Sequence, residues 1–184
     1  MKRLVHWRRL DWWLLGAVLI LLAVSLVVLF SLSQTASGVT SDRFEKQLAF
    51  IVVGLVLLFI ASQLDYRRFL QYAYINYLVW LVVLGLVLVI GTTIRGTTGW
   101  FQVAGISLQP VEFAKIAFIL AAARFLADRS FEMEQWKTVV RYSILVVGYV
   151  GLTLLQPDFG SAVVLVGTAI VMGLVTAIRP RQLG

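Results

Sequence analysis

From Trp12 to Leu32 the chain runs without one charged side chain, and five further apolar runs follow at Leu48–Leu64, Tyr74–Ile94, Val111–Leu126, Val139–Leu155 and Phe159–Ile178. A helix that crosses a bilayer needs about 20 predominantly apolar residues, and each run is near that length. With 60% of 184 residues hydrophobic and 14% charged, the chain is more apolar than one water-surrounded core of this size can conceal. The bilayer is therefore the solvent. Barrel strands would alternate polarity over about ten residues, whereas these runs are apolar on every face. The sequence predicts an all-α fold: a polytopic transmembrane helical bundle of about six spans, forming a single transmembrane domain over residues 1–184.

Net charge is +7, which in a soluble chain suggests nucleic-acid binding. Here the basic residues fall in short clusters between apolar runs and not along one polar face, so nucleic acid is excluded as a partner. Lys2, Arg3, Arg8 and Arg9 precede the first run, Arg67 and Arg68 follow the second, Arg124, Arg129, Lys137 and Arg141 surround the fourth loop, and Arg179 and Arg181 close the chain. The other side holds Arg43, Lys46 and Arg95. The positive-inside rule then places both termini in the cytoplasm. Trp12–Leu32 exceeds the ~7–15 residues of a secretory h-region, so it reads as a retained span and not a signal peptide. There is no cysteine, which removes disulfides and thiolate metal sites.

Charges inside spanning segments are costly and face protein or water, which singles out Glu112 and Lys115. Three residues apart, they share a helix face. Pro110 fits the first helical turn, where Glu112 would complement the positive end of the dipole. That capping reading leaves Lys115, deeper in the helix, in need of a partner or a wet cavity. Gln156-Pro157-Asp158 echoes Gln109-Pro110-Val111-Glu112, and both open helices running from outside to inside. Two such helix starts with nearby carboxylates suit a phosphate headgroup, with a divalent cation as an optional bridge. For Asp158 alone, ordinary capping is the competing account. Arg95 is the basic residue of the loop Arg95–Gln109, a stretch too short to span that is expected to lie in the outer interface or to re-enter beside the bundle. His6, among arginines, reads as interfacial.

The stretches Arg95-Gly-Thr-Thr-Gly-Trp100, Gly105-Ile-Ser-Leu-Gln-Pro-Val-Glu-Phe-Ala-Lys115 and Gln156-Pro-Asp-Phe-Gly160 resemble, in order and spacing, the SEDS family of RodA, FtsW and SpoVE. The resemblance implies a peptidoglycan glycosyltransferase of the bacterial cytoplasmic membrane that polymerises lipid II on the outer face, with a class B penicillin-binding protein as partner beside the membrane lipids. It makes Trp100, Glu112, Lys115, Asp158 and Arg95 candidate substrate-binding residues. Asp65-Tyr-Arg-Arg68 looks most like the RodA branch, which serves elongation and rod shape.

Two departures accompany it. Family members often carry a basic residue just before the loop tryptophan, where this chain has Gly99. The family fold has about ten spans with its catalytic aspartate in an outer loop beyond the sixth, so the chain is expected to be the N-terminal portion of that fold, without a catalytic residue of its own. From the residues alone, a lipid or solute transporter using an intramembrane Glu/Lys pair is the alternative, although no inverted repeat is visible.

Overall fold

The computed structural model describes residues 11–35, 39–103, 106–132 and 135–178. Among the residues singled out above, Lys2, Arg3, His6, Arg8, Arg9, Gly105, Arg179 and Arg181 lie outside them. The chain divides into two compact units, Met1–Asp65 and Tyr66–Gly184.

The first unit is a pair of long helices, α1 (Trp12–Thr35) and α2 (Val39–Gln63). Asp11 starts α1, its Oδ1 accepting from the backbone N–H groups of Trp13 and Leu14 at 3.0 and 3.1 Å, as an N-cap carboxylate does. The two helices meet through Phe30 and Phe44, edge to face at 5.9 Å, and through Gln47, whose Nε2 donates to Ser25 Oγ at 3.5 Å. Most of their leucines and valines are exposed, the kind of surface a spanning helix presents to lipid. Helix α2 begins well before the apolar run at Leu48, because Glu45, Lys46 and Gln47 are good helix formers that extend the helix past the hydrocarbon.

The second unit comprises α3 (Tyr66–Gln71), α4 (Ala73–Ile90), three short strands β1 (Thr92–Ile94), β2 (Thr97–Val103) and β3 (Ile106–Leu108), α5 (Pro110–Asp128), a 3-10 turn at Ser130–Glu132, α6 (Trp136–Leu155) and α7 (Phe159–Ile178). Helix α5 lies at its centre, against α4, α6 and α7. Its buried Ala114, Ala117, Ala121 and Ala122 let neighbouring backbones approach closely, as small residues do in membrane bundles. Phe118 and Tyr149 fill the middle of the core.

Among the described residues, five helices are long and apolar enough to cross a membrane: α1, α2, α4, α6 and α7. Helix α5, which contains the run Val111–Leu126, has the length, with 19 residues, but also Glu112, Lys115, Arg124 and Asp128. It also buries more of its length than the others do, with nine residues from Pro110 to Leu126 enclosed by its neighbours. Near its far end Arg124 is accounted for locally: Nη1 donates to Leu70 O at 2.6 Å, and Nε lies 3.5 Å from Asp128 Oδ2.

Polar groups inside the unit are spent on joining helices. Tyr77 on α4 donates its hydroxyl to Leu145 O on α6 at 2.8 Å, and Tyr149 on α6 returns a hydroxyl to Tyr77 O at 2.8 Å. Their rings lie 4.5 Å apart. Tyr142 similarly joins α6 to Ala169 O of α7 at 2.9 Å. The first of these bonds needs Gly148, since a Cβ there would lie 2.6 Å from Tyr77 Oη.

Candidate functional site

Between α4 and α5 the sequence predicts an irregular loop after a helix continued to Ile94, and the structure corrects both points. Helix α4 stops at Ile90, Gly91 takes an extended conformation (φ −75°, ψ 158°), and the chain enters an antiparallel sheet of order β1-β2-β3. Thr92 pairs with Trp100 and Ile94 with Thr97. Between the last two, Arg95 and Gly96 have φ of 52° and 84°. Two successive positive φ values make the two-residue turn whose twist matches that of paired strands. The signal was present in Thr-Thr-Ile-Arg-Gly-Thr-Thr, β-branched residues on either side of a glycine-containing pair.

The hairpin is seated on the turn between α6 and α7. Thr98 N donates to Gln156 O at 3.2 Å. The Gln156 side chain is fully buried, and its Nε2 donates to Leu84 O of α4 at 3.1 Å. Its Oε1 faces Gly99 so closely that a Cβ there would lie at 2.9 Å. The glycine that departs from the family pattern thus has a physical reason: the backbone of β2 passes over a buried amide. Trp100, next along β2, is half-buried. Its Nε1 and Gln156 Oε1 are enclosed polar atoms with no hydrogen-bond partner among the described residues.

Strand β3 leads directly into α5, with Gln109 extended at the N-cap and Pro110 in the first turn, where its missing N–H costs nothing. Gln109 does not cap its own helix. Its Nε2 reaches Asp158 Oδ2 at 2.9 Å, while Asp158 Oδ1 accepts from Ser161 N at 3.0 Å. Asp158 therefore caps α7 and also ties the start of α7 to the start of α5. One end of the unit consequently holds the N-termini of two helices together, each carrying partial positive charge from unsatisfied N–H groups.

Glu112 and Lys115 are joined on α5, Nζ to Oε1 at 2.7 Å, with the glutamate side chain 56% exposed and the lysine 22%. Lysine has thus found the partner its depth requires. Beside them Phe113 stacks on Trp80 of α4 at 5.3 Å with the planes only 7° apart, which stiffens this end of α5. Arg95 stands exposed at the hairpin tip and forms no ion pair with Glu112 or Asp158. The structure therefore joins Glu112 to Lys115 and Asp158 to Gln109, sets Trp100 on the strand above Gln156, and leaves Arg95 at the rim. Gln109 and Gln156 supply the ties, a role that their place in the two Gln-Pro turns did not reveal. Among the described residues no three His, Asp or Glu side chains converge as a metal site; one carboxylate is engaged by an ammonium and the other by an amide. What the arrangement offers is one ammonium and two carboxylates at the end of the unit where two helices start.

Residues 12–184 match the family described as cell cycle protein, FtsW/RodA/SpoVE. The chain is 34% identical over 97% of its length to a probable peptidoglycan glycosyltransferase FtsW of Coxiella burnetii, of which it covers 50%. It superposes on the rod shape determining protein RodA of Thermus thermophilus with a TM-score of 0.80 at 32% identity, covering 93% of this chain and 55% of that one. A chain from a peptidoglycan synthase complex, in a structure addressing the coordination of polymerization and crosslinking, matches with a TM-score of 0.77 at 32% identity over 96% of this chain and 51% of that one. The chain spans about half the length of the curated relatives it matches.

Proposed function

The chain belongs to the FtsW/RodA/SpoVE family, and from that membership we propose that it forms the substrate-receiving membrane portion of a peptidoglycan glycosyltransferase acting on lipid II. The observation that carries the reading is the joining of α5 and α7 through Gln109 and Asp158, at the start of the helix that carries the Lys115–Glu112 pair. A lipid-linked sugar diphosphate presents its negative charge at the membrane surface, where helix N-termini and a positioned ammonium favour it.

In this reading Lys115 meets a phosphate oxygen and Glu112 fixes its ammonium in place. Arg95 supplies long-range attraction from the hairpin tip, Trp100 offers an aromatic face at the rim, and Asp158 holds the two helix starts in register. The Lys/Arg asymmetry supports a position in the bacterial inner membrane with both termini in the cytoplasm and the hairpin outside. The likeness to a chain of a peptidoglycan synthase complex supports a class B penicillin-binding protein as partner. Asp65-Tyr66-Arg67-Arg68 supports the RodA branch, serving elongation and rod shape.

The test is a chimera in which this chain replaces the matching part of Thermus thermophilus RodA, assayed for glycan polymer from lipid II on a gel. The chimera should polymerise, and Lys115→Ala within it should reduce the rate by roughly tenfold or more, the worth of one charge-assisted hydrogen bond. A chimera that inserts in membranes at normal levels but yields no polymer would overturn the reading.

A further inference from the structure

We propose that Gln156 is a positioning residue for the headgroup site: its buried amide fixes the turn on which the Trp100 hairpin rests, and Gly99 is the complementary position that lets the hairpin sit there. The functional half of this inference rests on the reading above; the structural half does not.

The turn Gln156–Asp158 touches every element that frames the site. Through Nε2 Gln156 grips Leu84 O on α4, a residue 72 positions earlier. Through its backbone carbonyl it accepts from Thr98 N of β2. Two residues on, Asp158 caps α7 and receives Gln109 from the start of α5. A buried primary amide is a costly choice for this place unless it is engaged, and here one buried side chain sets the height of a carbonyl that holds a strand. The other side of the contact is Gly99, where any side chain would meet Gln156 Oε1. Hairpin, α4 and the α6–α7 turn are thus located by a single residue, which hydrogen-bonds to Leu84 and Thr98 and acts on the site through the backbone that bears its side chains.

Hydrogen–deuterium exchange of the chain in lipid nanodiscs tests the tether without needing activity. Gln156→Met keeps the volume and removes the amide. It should speed exchange across residues 92–103 by roughly fivefold, the effect of losing one buried hydrogen bond on a local opening, while residues 139–152 of α6 stay as in the parent. Gly99→Ala should do the same by pushing the amide away, and Gly99→Ala combined with Gln156→Ala should be no faster than Gln156→Ala alone. Parent-like exchange in Gln156→Met, a rise spread evenly over α6, or additive effects in the double variant would overturn the proposal.

In the RodA chimera Gln156→Met should raise KM for lipid II severalfold with kcat within about twofold, since a displaced hairpin weakens binding more than chemistry. A loosened hairpin with unchanged KM would refute the link to substrate. An inactive parent chimera would count against the glycosyltransferase reading, with exchange still deciding the tether.

Discussion

Replacing Gly148 with alanine should destabilise the second unit although alanine is the better helix former. The new Cβ would lie 2.6 Å from Tyr77 Oη and 3.3 Å from Leu81 Cδ1, and the first of these distances is too short to persist. The phenol has little room to yield, because its hydroxyl is bonded to Leu145 O at 2.8 Å and its ring lies 4.5 Å from that of Tyr149. Either α6 retreats from α4, an overpacking strain of about 1–3 kcal/mol, or the hydroxyl leaves Leu145, which between membrane helices costs about 0.6 kcal/mol on average. Helix propensity returns at most about 1 kcal/mol. Retreat of α6 therefore leaves a net loss of up to roughly 2 kcal/mol, whereas loss of the Leu145 bond alone would be offset by the propensity gain, so a measurable loss reports the retreat. The diagnostic is the second substitution. Tyr77→Phe removes the clashing oxygen, so Gly148→Ala/Tyr77→Phe should be more stable than Gly148→Ala alone, even though Tyr77→Phe by itself destabilises. Unfolding by sodium dodecyl sulfate in mixed micelles, followed by tryptophan fluorescence, measures all four proteins. Gly148→Ala as stable as the parent, or strictly additive substitutions, would refute the close-approach argument.

Two further outcomes are expected. Because the chain contains no cysteine, a single Thr93→Cys should react with a membrane-impermeant maleimide on intact cells, whereas Ser130→Cys should react only after permeabilisation; the reverse pattern would invert the topology. Glu112→Gln should lower thermal stability in detergent by less than the ~3–5 kcal/mol of breaking a fully buried pair, given the 56% exposure of the glutamate. The reversed pair Glu112→Lys/Lys115→Glu should recover part of that loss, and no recovery would show that the ion pair is not what holds Lys115.

The spans were legible because lipid imposes the simplest of sequence rules: a segment surrounded by hydrocarbon is apolar on all sides, and no knowledge of its neighbours is needed. Charge drew attention to Glu112, Lys115 and Asp158 for the same reason. The capping account of Asp158 is what the structure shows in one oxygen, while the other is joined to Gln109, a tie that local sequence cannot express. The hairpin was hidden by the apolar character of its flanks, although its threonines and Arg-Gly turn carried a readable pattern. Gln156 and Gly99 were beyond reach. An uncharged amide raises no alarm in a sequence, and its partner Leu84 lies 72 positions away. Gly99 appeared only as a departure from a family pattern, because the atom that excludes a side chain there belongs to a distant turn.

The polarity of α5 also bears on how the protein enters the membrane. A charged residue opposes insertion at the translocon by about 2.5–3.5 kcal/mol at the middle of a segment and by less toward its ends, and α5 carries Glu112, Lys115, Arg124 and Asp128 on either side of an apolar middle. Glu112 and Lys115 neutralise each other, and Arg124 reaches a carbonyl that α3 and α4 have already brought into place. Helix α5 is therefore a poor candidate to partition on its own as it leaves the ribosome. It would be held beside α4 until α6 and α7 arrive, and then be taken up as the last piece of a bundle that forms around it.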